Sequence, residues 1–209
     1  MIYFKSQGKL PEYSKDFTNP KGAAHDNNGS TYFTEAIEKS FNGKQLYFLD
    51  LGCAGGQLVK DMHDKRHFAY GIEGSPIQKQ ESKNNWPLIP KNLFVADITE
   101  RFSFYSYDED GQNVKVKFDV ITAWDVLEHI PEEKLPGLID NIVRNLKPDG
   151  VFICGIADFE DEGYHVTLHN KDWWILFFDD HKMKLVTDQP QEIARTSSFH
   201  LKFKLAEPK

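Results

Sequence analysis

The chain has 209 residues, of which 40% are hydrophobic and 13% aromatic, and its formal net charge is −7. This length and composition suit one α/β domain with an ordinary apolar core and exclude a disordered chain. The acidic balance disfavours broad contact with a nucleic-acid backbone or an anionic membrane surface.

The cysteines and the first residues carry no sign of a special compartment. Cys53 and Cys154 lack a Cys-x-x-Cys partner and metal-ligand spacing, so we expect reduced, buried thiols. Residues 1–5 begin no apolar core of signal-peptide length, and no run approaches transmembrane length. We expect one cytoplasmic domain over residues 1–209, without a membrane partner. The sequence disfavours nucleic acid as a partner and leaves the oligomeric state open.

The first stretch of the chain, residues 1–45, precedes the motifs that carry chemistry. Residues 1–30 contain several breakers, among them Pro20 and Gly22. This composition predicts an irregular arm. Residues 31–41 follow with a helical pattern.

A strand, a glycine turn and a helix start come next. The apolar run 46–49 predicts a buried strand that Asp50 closes, and Gly52, Gly55 and Gly56 lead into a helical pattern. Such a turn lets backbone N–H groups approach a ligand closely, and the helix N-terminus favours negative charge. The segment therefore predicts a site for a small ligand.

The spacing of the turn separates two cofactor classes. The dinucleotide pattern Gly-x-Gly-x-x-Gly, started at Gly52, fails at Ala54 and Gln57. The pattern Asp-x-Gly-x-Gly-x-Gly fits through Asp50, Gly52 and Gly56, with Ala54 replacing one glycine. The segment thus resembles the first motif of class I S-adenosylmethionine-dependent methyltransferases. A dinucleotide-dependent oxidoreductase is the rival reading of this turn.

Acidic residues close the next two predicted strands. Residues 67–72 read as a strand followed by Glu73, whose carboxylate can accept hydrogen bonds from both ribose hydroxyls. Residues 92–96 read as the third strand, followed by Asp97. In the family, an acid here accepts a hydrogen bond from the adenine amino group. The resemblance therefore implies that role for Asp97, with Ile98 packed on the ring.

Two further motifs follow in the family's order. Residues 118–123 read as the fourth strand and lead into 124–131, which resembles the family's "D-V-L-E-H-I" motif. Residues 146–152 resemble its "L-K-P-G-G" turn into the fifth strand, with Asp149 where glycine is usual. Between the third and fourth strands, alternating residues around an acidic glycine turn (102–117) predict an inserted β-hairpin.

These motifs, in order over residues 46–156, resemble a class I methyltransferase of the small-molecule and sugar type. The resemblance implies an α/β fold with a Rossmann-like, doubly wound, seven-stranded sheet. That sheet would be mostly parallel, with an antiparallel last strand and helices on both faces. It also implies S-adenosylmethionine as cofactor, with Ala123 and Trp124 in the cofactor site.

The last stretch, residues 157–209, faces the substrate in this interpretation. Asn170 is placed to cap a helix over 171–180. Residues 182–187 and 198–205 then read as the last two strands, the second being the antiparallel edge strand of the family.

Methyl transfer to a hydroxyl needs a group that takes the acceptor's proton, and histidine titrates in the right range. By position the candidates are His165 and His169 in the loop after the fifth strand, and His129 after the fourth. An alternative is a divalent metal on Asp125, Glu128 and His129 that acidifies a bound hydroxyl. We favour the histidine base without metal.

Motif absences narrow the acceptor. No Asn-Pro-Pro-Tyr or Asp-Pro-Pro-Tyr follows the fourth strand, where Trp124 and Asp125 stand, and no Pro-Cys nucleophile is present. An oxygen of a small molecule or sugar is therefore the leading acceptor. The alternatives are N-methylation of a small molecule and a non-catalytic partner subunit that binds S-adenosylmethionine.

Overall fold

The computed structural model describes residues 2–22, 25, 31–187 and 197–207. The strands of the main sheet are β2 (Tyr47–Leu51), β3 (Phe68–Glu73), β4 (Leu93–Val95), β7 (Phe118–Trp124), β8 (Leu146–Ile156), β9 (Met183–Leu185) and β10 (Phe199–Leu205). The helices are α1 (Lys15–Thr18), α2 (Thr31–Ser40), α3 (Gln57–Asp64), α4 (Ile77–Gln80), α5 (Leu135–Asn145) and α6 (Lys171–Asp180). None of the helices in these ranges has the length and apolar character needed to cross a bilayer.

The seven strands lie in the order β4-β3-β2-β7-β8-β10-β9. The first five pair in parallel, whereas β10 is antiparallel to both β8 and β9. The predicted sheet with its antiparallel last strand is confirmed, but the expectation that this strand forms the edge was wrong. Helix α6 carries the chain from β8 to β9 as a parallel crossover, and β10 fills the place left between them.

Helices cover both faces of the sheet, as predicted, because successive residues of a strand point to opposite faces. Phe48 of β2 packs in one core with Phe33 of α2 and the apolar side of α3. Leu49, the next residue, packs in the other core with Ile139 of α5 and Trp174 of α6. All five side chains are at most 1% exposed.

A second, antiparallel sheet is built on the predicted hairpin, whose strands are β5 (Phe102–Tyr107) and β6 (Asn113–Val116). Strand β1 (Tyr3–Ser6) pairs with the outer side of β5. Phe4 of β1 lies 4.7 Å from Phe94 of β4 and 5.0 Å from Phe104, measured between ring centroids. These ring contacts fix the second sheet to the main sheet.

The interpretation of residues 1–30 as an irregular arm was wrong at β1 and α1, which both lie in it. Each of these elements has only four residues, and the extended structure of β1 is stabilised by pairing with β5, far along the chain. So short a segment shows no periodicity that local sequence analysis detects.

The predicted turn at 146–150 is part of β8 instead. In the pairing of β7 with β8, Phe118 lies opposite Leu146 and Val120 lies opposite Val151. The single residue of β7 between these pairs therefore faces the longer stretch 147–150 of β8. Such a bulge keeps the strand paired while it bends.

Candidate functional site

The ends of β2, β3 and β7 open on a cavity of about 580 Å³, at the carboxyl edge where α/β sheets bind ligands. Most of the predicted site residues line it, namely Gly52, Ala54, Glu73, Asp97, Ile98, Trp124, Asp125, His129 and His165. The predicted residues outside this lining are Asp50, Gly56, Ala123, Glu128 and His169.

The turn after β2 uses backbone conformations that favour glycine. Gly52 has a φ of +70° and Gly56 a φ of +84°. A Cβ on Gly52 would lie 2.4 Å from Val126 Cγ2, and one on Gly56 would lie 2.7 Å from Leu93 Cδ1. Ala54 has a φ of +44°, a left-handed conformation that costs about 1–2 kcal/mol outside glycine. The glycine spacing therefore reflects the path of the backbone.

Glu73 ends β3 with both carboxylate oxygens bound to backbone N–H groups. The N–H of Ala54 donates to Oε2 and that of Ser75 to Oε1, each at 2.9 Å. Burial raises the pKa of Glu73, although these hydrogen bonds favour the ionised form. Each oxygen keeps a further lone pair, so hydroxyl donors such as those of a ribose would stabilise this desolvated charge.

Asp97 follows β4 and is almost fully buried. Its Oδ1 accepts hydrogen bonds from the N–H of Thr99 at 2.9 Å, from the hydroxyl of Thr99 at 2.7 Å and from the hydroxyl of Tyr13 at 3.2 Å. Ile98 adds an apolar wall beside it. A carboxylate next to an apolar surface suits a flat ring that carries an amino donor, as adenine does. Sequence reasoning missed Tyr13.

Two predicted cofactor residues lie beneath the cavity instead of facing it. Asp50 of β2 is 1% exposed and accepts a hydrogen bond of 2.7 Å from Thr122, its cross-strand partner on β7. Ala123, the next residue of β7, is fully buried. Trp124 follows and reaches the lining, and on its core side it meets the buried Phe33 edge-on at 5.5 Å between ring centroids. Asp50 therefore holds two strands together under the site.

Two of the three candidate histidines meet at the cavity wall. The rings of His129 and His165 are T-shaped, with 4.8 Å between centroids. His129 Nδ1 lies 2.7 Å from Asp16 Oδ2, and His165 Nδ1 lies 2.6 Å from the carbonyl oxygen of Phe159. Carboxylate and carbonyl oxygens only accept, so Nδ1 carries the proton in both rings. When neutral, each ring leaves Nε2 as its acceptor.

The charges around His129 favour its protonated form. Burial lowers the pKa of His129, but the hydrogen bond to Asp16 and the negative charges of Asp16, Glu128 and Asp125 outweigh that effect. The pKa is therefore raised above the usual histidine value. A proton taken up here stays close to compensating charge.

His169 lies away from the cavity. Its Nε2 is 2.8 Å from Glu132 Oε2, and its ring stacks on Trp173 with 3.7 Å between centroids. Between His165 and His169, the loop after β8 is held to another segment, because the hydroxyl of Thr167 donates to the carbonyl of Ile130 at 2.6 Å. The structure thus separates His169 from the other two candidates.

Glu128 is fully buried behind the two cavity histidines. The N–H of Ala157 donates to its Oε1 at 2.8 Å, while its Oε2 has no hydrogen-bond partner among the described residues. Burial raises the pKa of Glu128 to about 7. We call Asp16, Glu128, His129 and His165 the histidine cluster.

The ligands predicted for a metal, Asp125, Glu128 and His129, do not all converge in the structure. Asp125 accepts a hydrogen bond from the hydroxyl of Ser197. Over the described ranges, the acids and imidazoles that converge are Glu128, His129 and His165, with ligand atoms within 4.8 Å of one another. Bonds of about 2.0–2.2 Å to one ion bring two ligand atoms no more than about 4.4 Å apart. Both imidazoles engage Nδ1 with an oxygen acceptor, which leaves Nε2 able to ligate as in ordinary metal sites. One ion would therefore need only a closer approach of these three ligand atoms.

The N-terminal segment, residues 2–22, is the part of the wall that sequence reasoning missed. It contributes Pro11, Tyr13, Ser14, Asp16, Phe17, Lys21 and Gly22 to the lining. Lys21 pairs with Asp161 at 2.8 Å, and the amide of Asn19 donates to the hydroxyl of Tyr164 at 3.0 Å. These contacts join residues far apart in the chain, so no local pattern indicates them.

Comparison with known proteins agrees with this geometry. Residues 23–194 match the family model described as a methyltransferase domain. Over 121 residues the chain is 26% identical to the mitochondrial ubiquinone biosynthesis O-methyltransferase of Schizosaccharomyces pombe, covering 57% of this chain and 40% of that protein. Its counterpart from Pasteurella multocida is 30% identical over 118 residues, covering 52% and 44%. The chain spans about half the length of these curated relatives.

Solved structures show the same fold. A TehB-like S-adenosylmethionine-dependent methyltransferase from Corynebacterium glutamicum superposes with a TM-score of 0.59 at 17% identity, covering 86% of this chain and 90% of that one. The family model spans most of the chain, and the sheet order and the glycine turn are in accord with it. The chain therefore belongs to the class I S-adenosylmethionine-dependent methyltransferases.

Proposed function

We propose that this enzyme methylates an oxygen of a small molecule or sugar. The observation that carries the proposal is the composition of one cavity. It presents Glu73 and Asp97, which suit an adenosine group, together with His129 and His165, which hold Nδ1 to an oxygen and so present Nε2 as the acceptor when neutral. A cavity of about 580 Å³ is in the range that takes small molecules.

In this proposal, Glu73 accepts hydrogen bonds from the ribose hydroxyls, and Asp97 accepts one from the adenine amino group. Ile98 packs on the purine, and the backbone of the turn from Gly52 to Ala54 lies along the amino-acid part. When bound, S-adenosylmethionine supplies a methyl group on a sulfonium leaving group. The chain mainly has to orient the acceptor and exclude water, and such positioning supplies up to about 7–11 kcal/mol of the barrier reduction.

The histidine cluster supplies the proton acceptor. A hydroxyl becomes a better nucleophile as its proton moves to an imidazole Nε2, which typically contributes 10²–10⁴-fold. The side chain of His129 is 20% exposed and His165 is 9% exposed, so both imidazoles are largely shielded from bulk water. A nitrogen acceptor would need the same proton transfer only if it arrived as an ammonium ion.

The test is a search for transfer products. The protein is incubated with S-adenosylmethionine that carries a trideuterated methyl group and with matched acceptors: catechols, simple phenols, sugars and primary amines. Mass spectrometry then identifies the labelled atom. Label on oxygen supports the proposal, and label on nitrogen alone overturns it in favour of N-methylation.

Two controls complete the test. Calorimetry with S-adenosylhomocysteine shows whether the cofactor site is intact. Binding without transfer to any acceptor would favour the non-catalytic partner subunit. Activity that survives exhaustive chelation would exclude a divalent metal as the activator of the acceptor, whereas loss of activity restored by magnesium would contradict the histidine base.

A further inference from the structure

Asp16 reaches the histidine cluster from a part of the chain without any catalytic motif. It lies in α1, where the hydroxyl of Ser14 accepts a hydrogen bond from the Asp16 N–H at 3.2 Å. Its Oδ2 is 2.7 Å from His129 Nδ1, and the two side chains are 22% and 20% exposed. Such a pair, largely shielded from water, is stronger than a pair on the open surface.

The position of Asp16 is fixed by contacts on both sides of it. The ammonium of Lys15 donates to the carbonyl of Glu162 and lies 4.2 Å from the centre of the Tyr164 ring. The amide of Asn19 donates to the hydroxyl of Tyr164 at 3.0 Å. The carboxylate is therefore held over the cavity by a framework that does not depend on His129.

The two cavity histidines differ in what holds Nδ1. His165 donates to a neutral backbone carbonyl, that of Phe159, whereas His129 donates to the carboxylate of Asp16. A carboxylate stabilises a newly formed imidazolium more than a carbonyl does. Because the rings are only 4.8 Å apart, two positive charges would repel each other. The single charge formed in the reaction belongs on His129.

We propose that Asp16 is a positioning residue of the methyl transfer, holding the Nδ1 proton of His129 so that Nε2 faces the acceptor. This inference rests on the proposed function, in which a histidine takes the acceptor's proton. That proton moves to His129 Nε2 while the acceptor oxygen uses its electron pair to bond the methyl carbon. The carbon–sulfur bond breaks and its electron pair stays on sulfur. The positive charge lost by sulfur reappears on His129, beside Asp16.

The test compares two carboxylate–histidine pairs of the same kind. Asp16→Asn removes the charge beside His129, and Glu132→Gln removes it beside His169, which lies outside the cavity. The full chain, labelled with ¹⁵N-histidine and saturated with S-adenosylhomocysteine, is studied by NMR. We expect the neutral form of His129 to carry its proton on Nδ1 in the native protein and in Glu132→Gln, and to shift toward Nε2 in Asp16→Asn.

Kinetics provide the second measurement. Asp16→Asn should lower kcat about 10- to 100-fold, a part of the 10²–10⁴ that general-base catalysis supplies, while the acceptor's KM and the affinity for S-adenosylhomocysteine stay close to native. Glu132→Gln should keep native kcat. An equal loss of cofactor affinity and kcat in Asp16→Asn would mean that Asp16 supports the cavity wall instead of orienting His129, and would overturn the inference.

The two proposals fail in different ways. If the neutral native His129 carries its proton on Nε2, or if Asp16→Asn leaves the tautomer and kcat unchanged, the role of Asp16 is wrong while methyl transfer stands. If no acceptor is methylated, the proposed function fails, and the tautomer measurement alone decides whether Asp16 orients His129.

Discussion

The two sides of the cavity are assembled in different ways. On the side proposed for the cofactor, Gly52, Glu73 and Asp97 each lie within a few residues of the end of a parallel strand of the main sheet. On the side proposed for the acceptor, Asp16 and His165 come from distant segments that meet only through tertiary contacts. The first arrangement follows from the order of strands and leaves a pattern in the sequence. The second depends on how loops and the N-terminal segment dock, and leaves none.

The largest expected effect tests whether His129 contributes to the rate of methyl transfer and not to cofactor binding. His129→Ala should lower kcat about 10²–10⁴-fold without changing the affinity for S-adenosylhomocysteine. His169→Ala is the matched control, since that ring stacks on Trp173 outside the cavity, and it should keep native kcat. Steady-state kinetics and calorimetry check both, and an equal loss in the two variants would contradict the separation of the histidines.

The next effect belongs to the cofactor side. Gly52→Val should abolish cofactor binding or weaken it more than about 100-fold, because the new Cβ would lie 2.4 Å from Val126 Cγ2 at a φ of +70°. Gly111→Val has a similar φ of +74° with nothing within 4 Å of a Cβ. It should cost only about 1–2 kcal/mol of stability and leave binding intact. Calorimetry and thermal unfolding distinguish the two; weak binding in both would point to folding rather than to the site.

A third prediction concerns Glu128, the buried acid of the histidine cluster. The pKa of Glu128 is raised from 4.5 to about 7, so between those pH values the unfolded chain releases a proton that the folded protein keeps. Stability should fall as pH rises through this window, by about 3 kcal/mol, and stay constant above it. Glu128→Gln should remove this contribution. Urea unfolding at several pH values measures it, and parallel curves for the native protein and the variant would refute it.

The smallest effect concerns a single carboxylate of the cofactor side. Glu73→Ala should weaken S-adenosylmethionine binding by about 1.5–3 kcal/mol, since charge-assisted hydrogen bonds are lost. Calorimetry with a folded variant gives the value. Unchanged affinity would mean that Glu73 only ties the glycine turn to β3 through the N–H of Ala54.

The sequence predicts the residues that follow from the order of the strands better than those brought together by tertiary contacts. Glu73 and Asp97 lie at or just after strand ends as expected and both line the cavity, because parallel strands bring their carboxyl ends to one edge of a sheet. Their roles toward a cofactor stay a prediction. The roles of His165 and His169 were not separable, because the loop's direction depends on Thr167 bonding to Ile130 on another segment. The edge position of β9 was missed for a related reason. No pattern in the sequence near α6 shows that this crossover leaves a place beside β8, which β10 then fills.

The pairing of β1 with β5 has a consequence for Asp16. Ser6 is fixed in the second sheet, and the stretch from there to Asp16 reaches at most about 35 Å when fully extended. A group tethered within such a radius has an effective concentration on the order of millimolar. Whenever the carboxylate leaves His129, its return is therefore a unimolecular event, and its rate does not depend on how much protein is present.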